Sequence, residues 1–223
     1  MIVLVASVTD DEAGGIAAGH PDEIVVLTPL DLCAAGWAAE LGRHDAMFVA
    51  DGRTHHEADL TGIVTRLALV PEDELLILDP ADRPSAACEA TAFLAWWLAT
   101  RRCPVINEPH PTSLVGRRRH PIEWAHLAEG LGIPTHPVLR RPGDRTIGAG
   151  DVIWCTVFDG DPIVPQRMVG HEQIMERASQ LGEHATQRLV GFAFTSETGE
   201  LCATTATPPL DHQTWKRVMA ALR

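Results

Sequence analysis

The chain has 223 residues, a formal net charge of −12, 45% apolar residues and 22% charged residues. That length and balance suit one large domain or two small packed ones and exclude a chain too polar to build a core. The negative charge argues against general binding to nucleic acid or to an anionic membrane surface, so neither is expected as a partner. The longest apolar run, residues 90–99, is too short to cross a bilayer, and no charged-then-apolar signal segment opens the chain. A cytoplasmic location is the expectation. Cys33, Cys88, Cys103, Cys155 and Cys202 are scattered singly with no CxxC pair, a pattern expected of reduced, buried thiols.

Residues 2–8 form a continuous apolar run, as in a strand covered on both faces, and residues 24–27 and 46–50 repeat that character. Between them, residues 30–41 are Ala-rich and helical in pattern. Strands alternating with helices predict a parallel sheet. Asp51-Gly52-Arg53 is a turn, and residues 62–67 form a further strand or strand end. A long helix over residues 85–102 follows Pro84, with Phe93, Trp96 and Trp97 leaving little polar face; it is expected to be buried, with any exposed Trp marking an interface. Residues 104–106 form a short strand, and the two prolines at 109 and 111 impose an extended loop. His120-Pro121 starts a helix that runs to Gly130.

Residues 135–149 are rich in Pro, Gly and Arg and mark the internal boundary. Beyond it, residues 151–158 and 162–166 flank the hairpin turn Asp159-Gly160-Asp161. Residues 171–185 are helical, residues 189–195 and 201–205 flank Thr198-Gly199 as a second hairpin, and residues 212–222 close the chain as a helix. The expected fold class is therefore α/β. A parallel-sheet domain over residues 1–134 leads through a Pro/Gly/Arg linker, residues 135–150, to a small α+β domain over residues 151–223.

Charge is uneven along the chain. Residues 101–145 carry eight Arg against four Asp/Glu, or +4, leaving −16 for the remainder. Such a basic region could receive a phosphate or carboxylate; the alternative is Arg pairing with nearby acidic surface. Lys216 is the only lysine against seventeen arginines, which GC-rich codon usage also produces. His55-His56-Glu57-Ala58-Asp59 is the densest group of metal-ligand types. On a strand, His55, Glu57 and Asp59 would share a face, but a fourth ligand would have to come from elsewhere, and a polar loop or edge strand is the competing reading. His110, His120 and His126 lie near the Arg run, where one could serve as acid or base beside a phosphate; surface positions in loop and helix are the alternative. No Gly-x-Ser-x-Gly nucleophile motif is present. Cys103 follows Arg101-Arg102, which could lower its pKa, yet it opens an apolar strand, as a structural thiol would.

Four short motifs occur in order: Gly62-Ile63-Val64-Thr65-Arg66-Leu67, the aromatic helix with Glu89 followed by Phe93, Trp96 and Trp97, then Asn107-Glu108-Pro109, and Ala128 with Gly132-Ile133-Pro134. Together they resemble the ATP-grasp superfamily, closest to the RimK-like and peptide-modifying ligases. The resemblance implies a pre-ATP-grasp-like domain over residues 1–134 and a reduced ATP-grasp-like module after it. It also implies a truncated, lid-less protein. Where such ligases carry a phosphate-binding lysine, a Gly-rich loop and a lid, only sixteen residues separate Pro134 from Asp151. Where they carry Mg²⁺ ligands on the last strands, residues 201–207 hold no carboxylate.

The resulting expectation is a non-catalytic accessory or binding protein of natural-product or modified-peptide biosynthesis, with no catalytic residue, metal site or cofactor. Arg66, Glu89, Asn107, Arg117, Arg118 and Arg119 are expected to converge on one cleft that recognises an acidic peptide, a carboxylate or a phosphate. A protein partner, or a second copy of the chain, is expected. The alternative is a divergent ATP-dependent carboxylate-amine ligase working through an acyl phosphate, with ATP and Mg²⁺ and possibly a partner chain.

Overall fold

A computed structural model describes residues 1–39, 46–136, 152–163 and 171–222. The chain forms two compact units, residues 1–117 with 221–223, and residues 118–220.

The first unit contains β1 (Ile2–Val5), α1 (Asp11–Gly19), β2 (Ile24–Leu27), α2 (Pro29–Leu32), β3 (Met47–Ala50), β4 (Arg53–His56), β5 (Gly62–Thr65), α3 (Arg83–Ala99) and β6 (Val105–Ile106). Four of the strands make an all-parallel sheet in the order β2-β1-β5-β6, with Val3 opposite both Val25 and Ile63. Every residue of β1 and β5 is buried, as expected of strands covered on both faces. Val3, Val5, Ile63 and Val105 pack with Leu94, Trp97 and Leu98 of α3 and with Phe48 of β3. Gly62 lies against the last described residue: a Cβ there would sit 2.6 Å from Leu222 Cδ2.

Several local expectations are corrected. The strand expected over residues 46–50 is not part of the parallel sheet. It pairs antiparallel with β4 through the Asp51-Gly52 turn, where φ is +50° and +66°, the left-handed pair that a tight hairpin needs. The helix expected over residues 30–41 ends after four residues; Gly36, at φ +122°, turns the chain where a side chain would collide with Thr54 Oγ1. The unexpected helix α1 starts at Asp10, whose carboxylate accepts from Ala13 N at 3.1 Å, with Asp11 and Glu12 in its positive first turn. Helix α3 buries one face only. Trp97 is fully buried, Trp96 half-buried and Glu89 exposed.

The second unit comprises α4 (Pro121–Gly130), β7 (Val152–Phe158), β8 (Asp161–Ile163), α5 (Glu172–Glu183), β9 (Leu189–Thr195), β10 (Leu201–Thr205) and most of α6 (His212–Ala221). Its strands form an antiparallel sheet in the order β10-β9-β7-β8. Cys155, Val157, Val190, Phe192 and Phe194 on one face pack with Trp124 and Ala128 of α4 and Ile174, Ala178 and Leu181 of α5. Helix α4 opens with a capping box, His120 N donating to Glu123 at 2.7 Å. It closes at Gly132 (φ +72°), where Ile133 N reaches back to Ala128 O at 2.8 Å and the Ile133 side chain joins the core. The parallel-sheet unit followed by an α+β unit is the fold class that the sequence patterning implies. Among the described residues no helix is long and apolar enough to cross a membrane.

Candidate functional site

Open α/β sheets bind ligands outside the carboxyl ends of their strands. In the first unit that edge is formed by Ser7–Asp10 after β1, Arg66 after β5 and Asn107 after β6. Asn107 is buried and adopts φ +61°, a conformation that Asn tolerates better than most residues. The loop beyond it is pinned by Leu114 N donating to Ala68 O at 2.8 Å.

Arg66 is engaged within the fold. Its Nε donates to Asp10 Oδ2 at 2.6 Å, and its Nη2 to Asp10 Oδ1 at 3.3 Å and Glu12 Oε2 at 2.9 Å, with only 7% of its side chain exposed. The forked guanidinium thus ties the end of β5 to the first turn of α1. Glu74 does the same for the loop after β1, accepting from Ser7 Oγ at 2.6 Å and from Val8 N at 2.9 Å. Sequence reasoning singled out Arg66 but missed Asp10, Glu12 and Glu74. Only Asp10 carried a signal, as an N-cap residue ahead of an acidic first turn.

Of the remaining candidates in this unit, Glu89 is exposed on the outer face of α3, and Arg117 is exposed at the end of the unit. In the second unit Arg118 is exposed. Arg119 is half-buried, donates from Nη2 to His184 O at 2.9 Å and lies 5.4 Å over the Trp124 ring. Arg119 therefore fastens the start of α4 to the end of α5.

The His55-His56-Glu57-Ala58-Asp59 group is not a shared strand face. Strand β4 ends at His56, and Glu57–Asp59 form a 3₁₀ turn. The Glu57 carboxylate accepts from Trp97 Nε1 at 2.8 Å and pairs with Arg101, whose Nε donates to Trp97 O at 2.6 Å. His55 stacks on Phe48. Among the described residues no three metal-ligating side chains come together. His110 meets Thr112 Oγ1 at 3.0 Å, His120 caps α4 and His126 is exposed beside Glu129. Burial pushes the Cys103 thiol up, despite the lowering effects of its backbone hydrogen bond and of Arg101. Cys155, buried, is pushed up to about 12; against the expectation of five buried thiols, Cys33, Cys103 and Cys202 are half-buried and Cys88 is exposed.

In the second unit, the sheet face opposite α4 and α5 has at its middle two cross-strand rows, Trp154–Ala193–Ala203 and Thr156–Gly191–Thr205, flanked by the pairs Val152–Thr195 and Phe158–Leu189, with Asp161 of β8 opposite Phe158. Trp154 is 39% exposed. The row through Gly191 is covered by the chain itself. A Cβ on Gly191 would lie 2.8 Å from Pro208 Cβ, and Thr156 Oγ1 donates to Pro209 O at 3.3 Å.

No protein-family model and no curated protein sequence matches the chain. Solved structures do match. The ATP-grasp ligase PsnB, complexed with a minimal precursor, Mg and ADP, aligns over 100% of this chain and 97% of its own, with TM-score 0.58 and 11% identity. The fold is that of the ATP-grasp ligases. The macrocyclase MdnC from Microcystis aeruginosa MRC, bound to its precursor peptide MdnA, aligns over 99% of this chain and 97% of its own at TM-score 0.63 and 9% identity. A RiPP-associated ATP-grasp ligase from Chryseobacterium gregarium, in complex with ADP and a leader and core peptide, aligns over 98% and 91% at TM-score 0.54 and 10% identity. The ATP-grasp resemblance carried by the four sequence motifs is thus matched by the fold. On that fold, residues 201–207 form β10 and the turn after it, and they carry Leu, Cys, Ala and Thr side chains with no carboxylate. Most of the short segment between Pro134 and Asp151, on which the lid-less reading rests, lies outside the described residues.

Proposed function

We propose that this protein is a non-catalytic, ATP-grasp-fold binding or accessory protein of peptide modification that recognises an acidic peptide, carboxylate or phosphate group. The observation that carries the reading is the state of the second sheet. The face turned away from α4 and α5 carries Trp154, Thr156, Gly191, Ala193, Ala203 and Thr205; Thr156, Gly191 and Ala193 are buried, Pro208 lies against Gly191, and Thr156 reaches Pro209. Phosphoryl transfer depends on positioning and charge neutralisation, and the middle rows of this face offer hydroxyls and methyls where a metal-nucleotide needs hard anionic oxygens; among the described residues a carboxylate lies only at the β8 edge, where Asp161 stands opposite Phe158. The short segment after Pro134, with no room for a lid subdomain, belongs to the same reading.

Peptide modification is supported by the neighbours in fold, whose structures hold precursor or leader peptides. Three of the candidate arginines divide by role, each within its own unit. Arg66 and Arg119 hold the fold through Asp10 and His184, so they act as positioning residues. Arg118, exposed in the Arg117–Arg119 run, is the side chain offered to a ligand. The test is anisotropy of a fluorescein-labelled dodecapeptide of Glu and Gly titrated with the full chain. Binding at low salt that weakens about tenfold or more in Arg118→Glu supports the assignment. Equal binding by wild type and Arg118→Glu removes Arg118 from the site.

A further inference from the structure

The segment between β5 and α3 carries a second surface, of opposite charge. Leu76 and Ile77 are 67% and 72% exposed, the two most exposed large apolar side chains among the described residues. They are not the tip of a loose loop. Leu75 beside them is 1% exposed and anchors in the core of the first unit. The preceding residues Glu72–Glu74 form a 3₁₀ turn whose Glu74 carboxylate holds Ser7 and Val8. On the other side Arg83 reaches back, its Nε to Leu78 O at 3.1 Å and its Nη2 to Leu76 O at 3.4 Å. Val8, also exposed, is brought beside the turn by its bond to Glu74. Two large aliphatic side chains are thus held out to solvent on a clamped backbone, so a partner that covers them meets little ordering cost.

The rim is acidic. Glu72, Asp73, Asp79 and Asp82 are all exposed, and among the described residues none of the four is ion-paired. A clamped, exposed apolar pair flanked along the chain by exposed carboxylates with no ion pair is complementary to a basic segment with aliphatic anchors. We infer that the Glu72–Asp82 turn is a docking surface for a partner segment that carries arginines or lysines around one or two aliphatic side chains. The carboxylates draw the partner in, and Leu76 and Ile77 hold it.

The probe is an amidated fifteen-residue peptide of Arg-Leu-Ala repeats, labelled with fluorescein, alongside the same peptide with Glu in place of Arg. Anisotropy is read with the full chain, with the double variant Leu76→Ser/Ile77→Ser and with the charge variant Glu72→Gln/Asp73→Asn/Asp79→Asn/Asp82→Asn. All six positions are exposed, so the variants are expected to keep the wild-type melting temperature. The inference expects the Arg peptide to bind, its Kd to rise about tenfold or more in the apolar variant, and its salt dependence to flatten in the charge variant. The Glu peptide is expected not to bind. Arg-peptide binding that neither variant alters, or no binding at low salt, overturns the inference. Sedimentation of the wild type at rising concentration gives the last outcome: self-association abolished by Leu76→Ser/Ile77→Ser makes a second copy of the chain the occupant, which also overturns it.

Discussion

Replacing Arg66 by Met separates a structural arginine from a ligand-binding one. The substitution keeps much of the aliphatic stem and removes the charge-assisted hydrogen bonds to Asp10 and Glu12. Asp10 is left 15% exposed with the Ala13 amide still donating to it, while Glu12, 47% exposed, is rehydrated at little cost. Breaking a buried pair by removing one partner costs about 3–5 kcal/mol, and partial access of water to Asp10 brings the expected loss to about 2–3 kcal/mol. At a urea slope of about 1–3 kcal/mol/M, the transition of the first unit moves down by about 0.7–3 M. Urea denaturation followed by tryptophan fluorescence reads that shift, and hydrogen exchange at Ala13 and Gly14 reports the loosened start of α1 directly. Arg118→Ala, at an exposed position, serves as the control, with a change within about 0.5 kcal/mol. If Arg66→Met unfolds with Arg118→Ala, the ion-paired account of Arg66 is wrong.

Three further outcomes follow from the geometry. Glu57→Leu removes the acceptor of Trp97 Nε1 and the partner of Arg101, and should lower stability by about 3 kcal/mol in the same urea assay, with Arg101→Met on that background recovering part of the loss. With a thiol reagent at pH 8, Cys88 should react first and Cys155, pushed up to about 12 by burial, only on unfolding; mass spectrometry of the labelled peptides reads the order. Asp51→Asn should raise stability at neutral pH. Burial, with Asp31 nearby, raises the Asp51 pKa, so the folded state binds the proton more tightly than the unfolded one. Ionisation therefore opposes folding above the folded-state pKa, and the gain from Asn should shrink as pH falls through that value toward the unfolded one. Asn also accepts the φ of +50° at this position.

Most of the second unit was legible because its signals are local. Asp159-Gly160 and Thr198-Gly199 sit between alternating apolar runs, and Gly132-Ile133-Pro134 ends α4 as its sequence says. The first unit was harder to read for physical reasons. Gly14 and Gly15 blur the apolar period of α1, so only its N-cap chemistry marks it. The apolar run of β3 looks like a sheet strand, and only the Asp-Gly turn with the polar Arg53–His56 run reveals a hairpin. The site was legible as residue types but not as pairings. Arg66 meets Asp10 across 56 positions and Glu57 meets Trp97 across 40, and no local pattern encodes contacts at that separation. The covering of Gly191 by Pro208 is likewise a tertiary event.

The central claim is that the second sheet no longer serves a metal-nucleotide. Isothermal titration of the full chain with ATP and Mg²⁺ tests it most directly. With no anionic oxygen in the two middle rows of the Gly191 face and with Pro208 against Gly191, no saturable heat is expected up to millimolar nucleotide. Micromolar ATP binding, above all with ADP released when a carboxylate-bearing peptide is added, would contradict the account and establish the ligase reading in its place.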